Sequence, residues 1–423
     1  MGASEQPAET ARSRERLAPD RAWLGRILAS GGEDLRKCMQ CATCCAVCEL
    51  TDIRQPSPRK EMLWAQWGLT DRLMADPDLW LCHQCNDCTS RCPRGARPGD
   101  VMAALRRECV IHYATPRAFG RWVNAPRSLL WIVLFAALGL VGAAVLWQSS
   151  GLAAAELSLS LTGQRAVFPF WARLPHGLLG AVFALMLVFD GVVLAIGARR
   201  FWRNLDAPGL LPSPAKPSRS LRAAFRRILW HDDFGRCTTT HARRTHHLLV
   251  IYGTLALWLT SLWVVTARWN PLLEGLVYPL GFWNPWKLMA NLAGLAVTVG
   301  IALMLAERWK RPETAGATTY SDFALLGSLL LIALTGFATE LLHFLRMEPL
   351  RYAAYSVHLV AVSVLLWMLP YSKLAHVVYR TLALVHAERT GRGPLRVGEG
   401  GLRSPQPIAG GLGDPLRVPG EQG

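Results

Sequence analysis

Apolar residues are sparse up to about position 128 and then gather into six long runs, at 129–147, 174–196, 247–266, 286–305, 323–342 and 355–378. Each run is close to the roughly 20 residues that a helix needs to cross a bilayer. The pattern therefore predicts six transmembrane helices. Ahead of them, 1–21 is polar and charged and reads as disordered, while 22–116 mixes apolar and polar positions as a small folded head does. The membrane domain spans 117–386 and includes a polar, loop-like segment at 199–245. The tail, 387–423, is rich in Gly, Pro and Arg and reads as disordered. The expected fold is all-α, a helical head on a six-helix membrane bundle.

Charge supplies the orientation. The net charge is +16, which in a soluble protein would point to nucleic acid. Here the cations sit at the ends of the apolar runs, so they read as topology signals and exclude a nucleic-acid partner. Arg117, Arg121 and Arg127 precede the first run. Arg199, Arg200, Arg203, Arg226, Arg227, Arg243 and Arg244 lie between the second and third, and Arg308, Lys310 and Arg311 follow the fourth. By the positive-inside rule these segments are cytoplasmic. Trp147, Trp171, Trp269, Trp283 and Trp286 mark the opposite interface. The N-terminus shows no apolar signal-peptide core. The chain is expected in a bacterial inner membrane, as a multi-pass protein with both termini in the cytoplasm.

Nine of the eleven cysteines fall between Cys38 and Cys92. In a reducing compartment such clustering points to metal rather than disulfides. The second group reads Cys82-x2-Cys85-x2-Cys88-x3-Cys92-Pro93, the bacterial ferredoxin run for a [4Fe-4S] cluster. The first, Cys38-x2-Cys41-x2-Cys44-x3-Cys48, repeats the spacing, with Glu49 in place of proline and Cys45 as an extra thiol. Two such quartets suit two [4Fe-4S] clusters better than zinc, which takes four thiolates in all. In two-cluster ferredoxins the fourth cysteine of each run serves the other cluster. The expected sets are therefore Cys38, Cys41, Cys44, Cys92 and Cys82, Cys85, Cys88, Cys48. Cys45, Cys109 and Cys237 read as spare thiols.

Histidine within a membrane span is a functional candidate by default. His358 and His376 are 376 − 358 = 18 residues apart. On one continuous helix that is five turns, with both rings on one face and ~27 Å apart along the axis. This spacing suits two b-type haems, one in each leaflet. The inner haem would take His376 with His247, or with the neighbouring His246. The outer haem would take His358 with His176, which has Gly177 and Gly180 beside it, or with His343. Gly253, on the His247 span, is expected to admit a flat macrocycle. Asp190 and Glu340 are carboxylates within spans and are candidates to line a quinone site. No flavin-binding Gly-x-Gly-x-x-Gly follows a strand pattern and no nucleophile–base pair stands out, so any catalysis by this chain is limited to quinone chemistry.

The paired cysteine motifs make the head resemble the ferredoxin-like C protein of heterodisulfide reductase. The segment Tyr355-Ser-Val-His358…Leu369-Pro370-Tyr-Ser-Lys373-Leu-Ala-His376 resembles the last helix of the nitrate reductase gamma-type cytochrome b, which implies haem b on both histidines. That family carries a second histidine ten residues along its other helix, where this chain has Leu257. The fusion of the two parts, with Ile228-Leu-Trp-His231-Asp-Asp-Phe234 and the run Thr335-Gly336…Glu340, is similar to the membrane subunit of quinone-interacting membrane-bound oxidoreductase (Qmo) complexes. The resemblance implies electron transfer between the quinone pool and the flavin/iron–sulfur A and B subunits of such a complex, linked to adenylylsulfate reductase in dissimilatory sulfur metabolism. The alternatives are a heterodisulfide-reductase-like or sulfite-reduction-complex membrane subunit, and a haem-free membrane anchor.

Overall fold

The computed structural model describes residues 18–52, 55–149, 176–206, 217–231, 241–268, 280–311, 316–317, 319–390 and 392. Among these there is no β-strand. The head is built from α1 (Arg21–Ile27), α2 (Thr43–Ala46), α3 (Arg59–Gln66), α4 (Thr70–Met74), α5 (Asp78–Leu81), α6 (Asp87–Ser90) and the longer α7 (Pro98–Tyr113). α1 begins at Asp20, whose carboxylate accepts the Trp23 N–H at 2.8 Å and so caps an otherwise unpaired first turn. α8 (Arg117–Val123) leads into the bundle.

Among the described residues, six helices are long and apolar enough to cross a membrane. They are α9 (Ser128–Ser149), α10 (His176–Leu205), α12 (His241–Arg268), α13 (Pro285–Lys310), α14 (Tyr320–Phe344) and α15 (Glu348–Met368). α11 (Pro217–Trp230) and α16 (His376–Thr390) lie against each other on the head side of the bundle. α12 and α13 approach each other most closely. A Cβ on Gly253 would lie 2.7 Å from Val297 Cγ2, and one on Gly300 would lie 3.0 Å from the His246 carbonyl oxygen. Small residues at such a crossing let two backbones meet. Gly253 therefore serves helix packing, and the expectation that it makes room for a macrocycle does not hold.

The sixth span also differs from expectation. It ends at Met368 rather than continuing to 378. Pro370 has no N–H to continue the ladder, and the chain passes through two 3₁₀ turns, Leu369–Tyr371 and Lys373–Ala375, with Ser372 extended between them. α16 then starts afresh at His376. His358 and His376 belong to different helices, and the five-turn relationship is lost. At the other end, α16 runs to Thr390, past the expected start of the tail at 387, with Ala387 fully buried and Arg227 bridging Glu388 at 2.8 Å. The remaining parts expected to be disordered, 1–17 and 393–423, lie outside the described residues.

Head and bundle share one core. Trp23, Ile27, Met62, Leu79, Trp80, Met102 and Tyr113 of the head are continuous with Phe201 and Leu205 of α10 and Tyr379 and Ala383 of α16. Trp80 stacks on Tyr379 with centroids 5.2 Å apart, and Tyr113 meets Phe201 edge-on at 5.4 Å. The Tyr113 hydroxyl donates to the Met74 carbonyl at 3.1 Å and accepts from Asn204 at 2.8 Å, so a buried polar group is satisfied from both sides of the junction.

Candidate functional site

The two cysteine runs fold as near-copies. In each, the residues two and four after the first cysteine take positive φ: Gln40 (59°) and Ala42 (66°), then Gln84 (54°) and Asn86 (66°). Each run then enters a one-turn helix, α2 or α6. Left-handed backbone at non-glycine positions costs energy and persists where the surroundings over-determine it. Here it curls each loop so that three thiols point inward. One cavity is lined by Cys38, Cys41, Cys44 and Cys92, and the other by Cys48, Cys82, Cys85 and Cys88. Each set draws three residues from one run and the fourth from the other.

None of the described cysteines is in a disulfide. Backbone N–H groups of Gln84 and Ala96 point at the Cys82 and Cys92 sulfurs, each at 3.4 Å. Burial pushes the Cys48 thiol up to about 12, so a thiolate there needs a compensating positive centre, which iron supplies. Donor type, number and grouping fit a [4Fe-4S] cluster in each cavity. Cys109 is fully buried in the core, its thiol pushed up by burial, and behaves as a packing residue. Cys45 lies beside Cys44 but lines neither cavity.

The cavity holding Cys82 sits against the bundle. Arg380 of α16 donates to the carbonyls of Trp80 (3.0 Å) and Cys82 (3.3 Å), and its other terminal nitrogen lies 2.8 Å from the His83 ring. Arg106 donates to the Cys82 carbonyl at 3.1 Å, and Arg243 of α12 reaches the Gln84 carbonyl at 3.1 Å while pairing with Glu307 at the same distance. Four residues before Arg380, His376 opens α16 with its Nδ1 on the Lys373 carbonyl. His247 lies within electrostatic reach of His231, His376, Arg380 and His83, and its Nδ1 is 2.9 Å from His231 Nε2. His83, His231, His247 and His376 thus gather as a histidine layer near the Cys82 loop. His376 and His247 are the expected members. His231 and His83 are additions, because no spacing rule links positions so far apart in sequence. Burial holds His376 down to about 4 and also lowers His231. Both rings are neutral near pH 7 and keep a lone pair for a metal.

His358 is set differently. Its Nδ1 lies 3.0 Å from the Ile332 carbonyl and 3.1 Å from the Thr335 hydroxyl of α14. A proton held on Nδ1 leaves Nε2 as the basic nitrogen, the usual arrangement for a ligating imidazole. His376 has the same arrangement. For His176, the helix begins at that residue but its side chain lies outside the described residues. Of the two alternatives, His246 Nδ1 lies 3.4 Å from Glu307, and His343 Nδ1 lies 3.2 Å from Arg351. The carboxylates also separate. Glu340 pairs with Lys287 at 3.0 Å and Asn291 at 3.1 Å. Asp190 is 4% exposed, and its Oδ2 has no hydrogen-bond partner among the described residues.

Residues 123–394 match the family described as Citrate utilization protein B. The chain belongs to that family. One relative, Citrate utilization protein B of Escherichia coli, is 26% identical over 85% of this chain and 93% of its own length. The head adds a second likeness, since residues 34–96 match a 4Fe-4S dicluster domain. It is 41% identical to a heterodisulfide reductase C-like protein of Archaeoglobus profundus, over 20% of this chain and 45% of that protein. It is 36% identical to the C protein of the H(2):CoB-CoM heterodisulfide,ferredoxin reductase of Methanothermobacter marburgensis, over 21% and 48%. The head thus spans about half the length of these relatives. No solved structure matches the chain. The family member is an iron–sulfur electron-transfer protein, with a heterodisulfide reductase C-like head on a bundle of six membrane-length helices.

Proposed function

We propose that this chain is the membrane subunit of a multisubunit reductase and passes electrons between the quinone pool and a cytoplasmic flavin/iron–sulfur partner. Two [4Fe-4S] clusters and b-type haem are its carriers. The observation that carries the reading is the contact made by Arg380. It grips the Cys82 carbonyl and the His83 ring from a helix whose first residue is His376. One helical turn ties a cysteine cavity to a buried histidine layer.

Bound in these places, the clusters and haem supply one-electron redox chemistry. The chain's own residues position them. Cys38, Cys41, Cys44 and Cys92 hold the outer cluster; Cys48, Cys82, Cys85 and Cys88 hold the one against the bundle. His376 and His247 would hold the inner haem, with His231 fixing the His247 ring. His358 would hold the outer haem, with His176 as its partner. Asp190 is the carboxyl we assign to quinone. Among the described residues its buried Oδ2 has no hydrogen-bond partner, and Phe189, next to Asp190 in sequence, packs against Trp367 with ring centroids 6.0 Å apart. A quinol hydroxyl reaching that oxygen would satisfy a costly buried group.

The soluble partner has two readings. The likeness to Citrate utilization protein B over 85% of the chain favours an oxidoreductase of carboxylate use. The link to adenylylsulfate reductase through a Qmo-type complex rests on the head and the His358–His376 segment, and we place it second.

Optical and EPR spectra of the purified protein, with iron and haem quantified, test the proposal. Cluster signals with a Soret band that menadiol reduces are expected. A zinc-loaded head, or a protein colourless in the Soret region when made in cells able to supply haem, refutes it.

A further inference from the structure

The two cysteine cavities are not equivalent. The one holding Cys82 faces the bundle. The one holding Cys38 opens away from these contacts: Cys41 on its rim is exposed, and Met39 is 65% exposed. Arg59 and Arg94 line this cavity and are themselves exposed. Arg36 and Arg91 stand two residues and one residue from Cys38 and Cys92 and are exposed too. None of these four arginines has an ion pair among the described residues. The nearby Lys37 does, to Asp34 at 2.5 Å, and Glu49 belongs to the other cavity. Trp67, 53% exposed, follows Gln66, whose amide donates to the Cys38 carbonyl at 2.9 Å.

We infer that this face is the docking site for the soluble redox partner, and that the partner presents an acidic surface around a flavin or iron–sulfur centre. The inference rests on the electron-transfer role and deepens the proposed function by naming the exit and its charge. Met39 and Trp67 are the apolar anchors, and the arginines form a charged rim that matches carboxylates in kind and geometry. Unpaired cations at the mouth of a redox site also raise the encounter rate with an oppositely charged protein. Cys38, Cys41, Cys44 and Cys92 would hold the cluster at this face, which when reduced would supply one electron to the partner's oxidised centre.

The test uses the full-length protein in nanodiscs of neutral lipid, reduced with dithionite and desalted, then mixed with oxidised flavodoxin (acidic) or cytochrome c (basic). Flavodoxin should be reduced faster at low salt than at high salt, and should bind the oxidised protein measurably by calorimetry. The Arg59→Glu/Arg91→Glu/Arg94→Glu variant should lose both flavodoxin binding and at least about 10-fold of that rate while gaining rate with cytochrome c. Met39→Ala/Trp67→Ala should weaken binding without changing its salt dependence. Cluster EPR signals that match wild type confirm that the heads are intact. Unchanged flavodoxin binding in the arginine variant overturns the docking face, as does binding of wild type to anionic vesicles in place of flavodoxin. Absence of cluster signals in wild type instead overturns the electron-transfer reading beneath it.

Discussion

The Arg380 guanidinium donates to the carbonyl of Cys82 at 3.3 Å, so the helix that follows the last span holds the first cysteine of the second motif. With the Trp80 carbonyl and the His83 ring it makes a three-point grip between elements 300 residues apart in sequence. Arg380→Ala leaves those acceptors without their charged donor. Each such hydrogen bond is worth about 1.5–3 kcal/mol. The variant is expected to melt earlier and to reduce its clusters from menadiol more slowly, with iron content unchanged. Thermal melts and stopped-flow EPR check it, and wild-type rates in the variant would sink the grip as a functional contact.

The crossed cysteine sets predict a pattern rather than a single loss. Cys38→Ala and Cys92→Ala should remove the same EPR signal, and Cys82→Ala and Cys48→Ala the other. Each should cost about four of about eight iron atoms per chain. If Cys92→Ala instead removes the signal lost with Cys82→Ala, the runs are uncrossed.

For the histidine layer, His376→Ala should remove one haem by Soret absorbance and pyridine haemochrome, while leaving cluster iron in place. His231→Ala should keep the haem but alter its spectrum, because the ring that holds His247 Nδ1 at 2.9 Å is gone. Unchanged haem content in His376→Ala refutes the inner site.

Lys60 lies in the head with Asp76 at 2.9 Å, Glu61 at 3.5 Å and Asp78 in contact, while Arg392 closes the group 3.7 Å from Asp76 and 3.6 Å from Asp78. Lys60→Met leaves buried carboxylates unbalanced and should cost about 3–5 kcal/mol, read by urea unfolding. Glu61 is fully buried, and among the described residues neither of its oxygens accepts a hydrogen bond. Burial pushes its carboxyl well above the usual range. Above its unfolded value, folding must take up a proton there, and the cost grows as pH rises towards the folded value. Glu61→Gln should therefore raise the melting temperature at pH 7 and leave it unchanged near pH 3. Asp76 has the opposite sign. Burial raises its carboxyl, but Lys60 and Arg392 outweigh that and hold it low. Its contribution is present at neutral pH and is lost as pH falls below about 4. Asp76→Asn should show less acid destabilisation than wild type.

Much of this is legible in the sequence because it depends on local spacing. Cysteines at 38, 41, 44 and at 82, 85, 88 must share a loop, and five of the six apolar runs coincide closely with helices. The sixth run outlasts its helix because Pro370 alone does not distinguish a kink from a stop. The extended Ser372 decides it, and only the fold shows that α16 finds packing against α11 and α5. His231 stands in the sequence only within a segment of family resemblance and His83 carries no signal, since their meeting with His247 and Arg380 is purely tertiary. Gly253 reads as ligand space in the sequence, whereas a neighbouring helix claims it in the fold.

Trp80 resting on Tyr379, and Tyr113 wedged against Phe201, leave the head no hinge on which to swing. Carriers lodged in these cavities would keep fixed separations through every turnover, because interlocked aromatic rings act as rivets. Nothing in this arm needs to shuttle, so the tempo of turnover would be set by arrivals at its two ends: a lipophilic donor or acceptor from the bilayer and a protein from solution.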